Sequence, residues 1–181
     1  MLSPFTKDLL GQIQRDSARR SSQKSMVWLR NKILKDSSKI KTSKPHVGRM
    51  YLFVYDAKHK ATLPFWDINP LIILIGPAKG GFYGINFHYL DMRDRLELLE
   101  MMVPFQKLVS AKTQRQININ YDKMMRLGQT KWKHCFKHYL VGQLHTQLVE
   151  IPMTEWYSTL TLPIAHFKGA TNQQVWKASK T

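Results

Sequence analysis

Residues 48–90, GRMYLFVYDAKHKATLPFWDINPLIILIGPAKGGFYGINFHYL, alternate short apolar runs with turn residues, and no other part of the chain carries so regular a pattern. Runs rich in β-branched and aromatic residues, bounded by Gly, Pro, Asn and Asp, are strand signals. Tyr51, Phe53 and Tyr55 alternate with Leu52 and Val54, which predicts a strand covered on both faces. Pro64 interrupts the next run, 62–66, and confines it to an edge or irregular strand. Asp67-Ile68-Asn69-Pro70 reads as a turn, and residues 71–75 as a buried strand. The glycines of 76–81 then close a hairpin onto 82–87. A phosphate-binding loop is the competing reading of GPAKGG, but the Gly-Lys-Ser/Thr ending and the following helix are absent. Short, closely linked antiparallel strands predict an α+β fold: a small SH3-like antiparallel β barrel, or a bent sheet, with flanking helices.

The flanks are organised differently. Residues 1–25 read as a basic N-terminal arm, and 26–181 as a single α+β domain with its β core at about 48–90 and a helical C-terminal part at 91–181. Ser25 is placed as the N-cap of a short amphipathic helix over 25–36. A second helix starts at Asp91, with Met92, Leu96, Leu99 and Met102 or Val103 as its apolar stripe. Its acids, Asp91, Asp94, Glu97 and Glu100, read as a solvated or partner-facing row. Gly128 suits a helix C-cap. Leu148–Ile151 returns as a strand, residues 154–157 open a short helix, and Val175-Trp176-Lys177 anchors the end.

Charge narrows the partners. The 181 residues carry 28 Lys and Arg against 12 Asp and Glu, a net charge of +16. Residues 1–60 hold 14 of those cations and only 4 of the acids. A compact chain tolerates such self-repulsion best against a polyanion, so nucleic acid leads, ahead of an acidic protein or a membrane surface. The candidate phosphate contacts are Arg19, Arg20, Lys24, Arg30, Lys32, Lys35, Lys39, Lys41, Lys44 and Arg49, with Lys131, Lys133 and Lys137 further on. Trp28 and Trp132 stand among them; each is a candidate for stacking on a base, with core packing as the plainer reading of Trp28.

Enzyme chemistry finds no constellation. Cys135 is the single cysteine, so a disulfide within the chain and a thiolate zinc cluster are excluded. His134 and His138 have i,i+4 spacing, yet the glutamate of a zincin motif is missing. Asp56, Lys58 and Asp67 can be cast as a nuclease site, but two turn carboxylates are common without catalysis. No metal or cofactor is expected. The longest apolar run, 71–75, is far short of the ~20 residues of a membrane helix. Lys7 and Asp8 occupy the place of a signal peptide's apolar core, so a reducing, intracellular setting is expected.

The segment from Met50 to Arg95 resembles the DNA end protector family of T-even-like contractile-tailed phages and their marine relatives. The residues that carry the resemblance are Met50, Tyr51, Tyr55, Asp56, Lys58, Leu63, Pro64, Asp67, Pro70, Leu71, Gly80, Gly81, Phe82, Gly84, Asn86, His88, Tyr89 and Leu90. Weaker similarity continues through residues 137–140, Glu155-Trp156, Leu162-Pro163 and Val175-Trp176. Ala57 stands where the family has proline, and Asp91-Met92 where it has two prolines. The resemblance implies a virion component, at the head or head-tail junction and then in the host cytoplasm. It would bind the ends of packaged double-stranded DNA, shield them from RecBCD-type exonucleases, and contribute no catalytic residues. A head-completion or neck protein, bound to portal or neck partners and without end-protecting activity, is the alternative; a homo-oligomer is compatible with either.

Overall fold

The computed structural model describes residues 11, 23–36, 38–103 and 132–180, with backbone alone for 23–26. Its centre is a six-stranded antiparallel sheet in the order β1-β7-β2-β4-β5-β6. These strands are β1 (Lys41–Thr42), β2 (Met50–Leu52), β4 (Leu71–Ala78), β5 (Gly81–Asn86), β6 (Phe136–Leu140) and β7 (Leu148–Ile151). A separate pair, β3 (Trp66–Asp67) with β8 (Phe167–Lys168), lies outside it. The helices are α1 (Gln23–Lys35), α2 (Met92–Met102), α3 (Trp156–Thr161) and α4 (Asn172–Ala178).

Strand β2 is central because its three residues are apolar on both faces and fully buried. It pairs Met50 with Ile73 on one side and with Ile151 on the other. Alternation along the strands divides the core in two. Met50, Leu52, Leu71, Ile73 and Ile85 pack with Leu96 and Leu99 of α2 and Trp156 and Leu160 of α3. Tyr51, Phe53, Tyr55, Ile72, Leu74, Phe82, Tyr139 and Leu148 form the second cluster. The rings of Phe53, Tyr55 and Tyr139 meet edge to face, at centroid distances of 5.0–6.3 Å.

A further bridge and two hydrogen bonds border this second cluster. The Tyr55–Leu144 bridge joins the chain beyond β2 to the segment after β6. Asp56 N–H donates to the Gln143 carbonyl at 3.1 Å, and His145 N–H to that of Val54 at 2.9 Å. The ladder nevertheless leaves β1 and β6 as edges, so no barrel closes among the described residues and the SH3-like expectation is not confirmed. The α+β class and the antiparallel core stand.

The hairpin reading of GPAKGG holds: Gly80, at φ +73°, turns β4 into β5. The two-sided strand at Met50 and the return at Leu148–Ile151 are also found, as is α2, where the Asp91 carboxylate caps the helix by accepting from Asp94 N–H at 3.0 Å. Three expectations change. The first helix already includes Gln23 and Ser25, so Ser25 is not its N-cap. Among the described residues the C-terminal part carries strands β6, β7 and β8 beside the helices α2, α3 and α4. The short strand expected at 62–66 is reduced to Trp66–Asp67, beyond the reach of Pro64. Residues 1–10 and 12–22 of the arm, the C-cap at Gly128 and Lys131 lie outside the described residues.

Candidate nucleic-acid interface

The turn Asp67-Ile68-Asn69-Pro70 forms the floor of the site. Asp67 Oδ1 accepts from Asn69 N–H at 3.0 Å, the side-chain-to-backbone bond that makes aspartate a turn residue. Its other oxygen faces inward, where Asn86 Nδ2 donates at 2.9 Å and His88 Nδ1 at 2.9 Å. Asn86 also donates to the Tyr139 hydroxyl at 3.0 Å, which ties the floor to β6. Arg30 of α1 reaches Asn69 Oδ1 at 3.2 Å. All of these groups are buried.

Electrostatics explains why a carboxylate is tolerated there. Asp67 interacts with Arg30 and with Arg95, whose guanidinium donates to the Leu90 and Leu160 carbonyls. Burial pushes Arg95 down to about 10, against the pull of Asp67, so it remains a cation at neutral pH. Burial also lowers His88, more than Asp67 raises it. The imidazole is therefore neutral, with Nδ1–H on Asp67, and its buried Nε2 has no hydrogen-bond partner among the described residues.

Above this floor lies a cleft of about 580 Å³ between the 55–67 segment and β6. Tyr55, Phe65, Trp66 and Tyr89 supply aromatic walls, while Lys58, His59, Lys137 and His138 supply donors and positive charge. The Lys137 ammonium sits 3.9 Å from the centre of the Tyr89 ring. Burial lowers its pKa, and among the described residues no carboxylate pairs with it. Beside the cleft, the exposed Tyr83 ring lies 5.2 Å from that of His138 and tilted to it by 46°, and His138 Nε2–H donates to the Lys79 carbonyl at 3.1 Å.

The cations read from the sequence divide into groups. Lys32, Lys35, Lys41, Lys44 and Lys133 are exposed. Lys39 and Arg49 are engaged with Glu155 at 2.6 Å and Glu150 at 3.0 Å, and Arg30 with Asn69. These three hold the fold together. Lys24 lies on α1, with its backbone alone described, and Arg19, Arg20 and Lys131 lie outside the described residues. The tryptophans part company: Trp28 is 59% exposed, with Lys32 Nζ 4.9 Å from its ring centre, whereas Trp132 is 2% exposed and belongs to the core. Trp132 presents no face to a base, because it packs with Cys135 and α2 beneath the sheet. The core reading of Trp28 fails among the described residues.

No catalytic arrangement emerges from the described residues. Asp56 is bound by Lys60 at 2.7 Å and Asp67 by Asn86 and His88, so the two do not combine with Lys58. His134 lies in a 3-10 turn and His138 on β6, so no helical face unites them. Among the described residues no group of three or more His, Cys, Asp or Glu is placed to hold a metal. Burial raises the Cys135 thiol to about 12, as for a small core hydrophobe. No helix among them is long and apolar enough to cross a membrane.

Sequence reasoning missed the floor and the cleft. The sequence marks Asn86, His88 and Tyr89 through the resemblance, and Asp67 and Lys58 also through a turn and a nuclease reading, but it does not unite them in one site. The available signal was that polar Asn86 and His88 interrupt an otherwise apolar strand end.

No curated protein and no solved structure matches the chain. Residues 1–180 match the family described as phage T4 terminal DNA protecting protein. That match spans nearly the whole chain, including every element described above, and the chain therefore belongs to this family of phage DNA-protecting proteins, which are structural protectors rather than enzymes.

Proposed function

We propose that the protein binds the ends of double-stranded phage DNA and shields them from host exonuclease, through phosphate contacts that do not read sequence. The observation that carries this reading is membership of a DNA-protecting family in a chain of net charge +16. Exposed Lys32, Lys35, Lys41, Lys44 and Lys133 are point charges on flexible stems, suited to phosphates rather than to base edges. The basic residues of the N-terminal arm extend the same contacts. Arg30, Lys39 and Arg49, by contrast, serve the fold through Asn69, Glu155 and Glu150. The setting is the virion, at the head or its junction with the tail, and the host cytoplasm after injection.

Exonuclease digestion of linear duplex, with and without the purified protein at two salt concentrations, tests the reading. Protection is expected at low salt and should weaken steeply as salt rises, with a log–log slope near −0.9 for each phosphate contact. Failure to protect at low salt, together with stable binding to a portal or neck assembly, would show the protein to be a structural neck component instead.

A further inference from the structure

We propose that the cleft above Asp67 receives the terminal nucleotide of one DNA strand, its base against the aromatic walls and its phosphate at Lys58 and Lys137. The inference rests on the end-binding reading and gives it a specific site. Three observations carry it. A cavity of about 580 Å³ is of the size that takes a small organic ligand. Its walls include Tyr55, Phe65, Trp66 and Tyr89, and aromatic faces hold an unpaired base without regard to its identity. Lys137 lines it as a half-buried ammonium that contacts the Tyr89 ring, and among the described residues no carboxylate comes within ion-pair distance of it, Asp67 acting on it only from further away. A desolvated cation beside an aromatic ring is completed by an anion, and Lys58 at the rim adds a second charge.

The geometry also accounts for a preference for ends over internal duplex. A base inside a duplex is stacked and paired, and extracting it costs a few kcal/mol; a terminal nucleotide has one stacking face already open, so it costs less. The floor beneath the cleft is rigid, since Asp67, Asn86 and Tyr139 lock the 55–67 segment to β6. A preformed slot avoids ordering the walls on binding.

The test uses the full chain and two DNA probes: a hairpin with one open, 5′-phosphorylated end, and a dumbbell of the same duplex closed at both ends. In the hairpin, 2-aminopurine replaces either the terminal base or a base six positions inward. The expected result is tighter binding of the hairpin and a fluorescence change from the terminal probe alone. Lys137→Met and Lys58→Ala should each lower hairpin affinity by about tenfold, a factor equivalent to 1.4 kcal/mol, and lower dumbbell affinity much less. Lys58 is exposed, so its replacement keeps the test valid if Lys137→Met disturbs folding. If the hairpin is preferred but both variants keep that preference and the terminal probe is silent, the cleft proposal is overturned and end binding survives. If wild-type protein binds hairpin and dumbbell equally, the end-binding reading falls and the cleft proposal with it.

Discussion

Asp67 is 3% exposed, and its carboxylate is compensated on every side that the fold presents: the Asn69 amide, Asn86, His88 and the charges of Arg30 and Arg95. A buried charge of this kind is costly to remove, and here its loss would take a nearby counter-charge from two buried cations, Arg30 and Arg95. Asp67→Asn is therefore expected to lose about 3–5 kcal/mol of stability in urea unfolding. A loss under 1 kcal/mol would mean that the arginines are held by their carbonyl and amide acceptors alone. Gly81 is constrained for a different reason. A Cβ there would fall 1.7 Å from the Tyr139 carbonyl oxygen, in the closely approaching pair of β5 and β6. Gly81→Ala must push the strands apart, at a cost of about 1–3 kcal/mol. Because β6 carries Lys137 and Tyr139, the same change should also weaken DNA-end binding beyond what the stability loss explains, as read by gel shift under conditions where the variant is folded.

Elements built from neighbours in the chain were legible, and those built from distant partners were not. The β4–β5 hairpin was readable because Gly80 and Gly81 adjoin the strands they join, and α2 because Asp91 and its stripe lie within one helix. Strand β6 was not, since KHYL has neither a clear alternation nor a local turn partner; its place is fixed by Gly81, Phe82 and Tyr83, more than fifty residues earlier. The site followed the same rule. The sequence correctly marked Asp67-Ile68-Asn69-Pro70 as a turn, but only the packing of β5 against it turns Asn86 and His88 toward the second carboxylate oxygen. Net charge did not distinguish Lys41, which is exposed, from Lys39, which is consumed by Glu155 more than a hundred residues away. At the other end of the chain, α4 is held by a capping box between Thr171 and Gln174, and by Trp176 Nε1–H donating to the His88 carbonyl at 2.9 Å. Thr171→Ala should cost about 1 kcal/mol. Hydrogen exchange is expected to rise first in α4 and in the 87–89 turn that Trp176 covers; faster exchange confined to α4 would mean that this contact does not couple the two.

For the molecule as a whole, acid is the condition that opposes its design most directly. With a charge of +16 at neutral pH, every further proton adds to self-repulsion in the compact state. His88 gives that general tendency a specific centre. The groups facing it are Asp67 and Asn86 from the floor, with Arg95 from α2 and Arg30 from α1. Burial and the two arginines lower its pKa in the folded protein below the ordinary value near 6.5, and Asp67 only partly offsets them. The folded state then stays unprotonated in a pH range where the unfolded chain takes up a proton. Stability from this source is complete above about pH 6.5 and is lost as pH falls through the folded-state pKa. His134 and His166 are shifted the same way, by burial first, and add to the same loss. Asp36 and Asp91, whose pKa values are lowered, contribute at a lower pH, as it falls below the ordinary carboxylate range. Unfolding free energy should therefore decline as pH falls below about 6.5, by up to about 1.4 kcal/mol per pH unit from His88 for as long as it stays neutral in the fold, with smaller contributions from the more exposed His134 and His166. His88→Gln, which keeps a donor toward Asp67 and cannot titrate, should be less stable than wild type at pH 7.5 but show a shallower decline. Urea unfolding at half-unit pH steps measures both slopes. Equal slopes would mean that His88 is already protonated in the folded protein and forms a full ion pair with Asp67, and that the acid sensitivity arises from His134, His166 and overall charge alone.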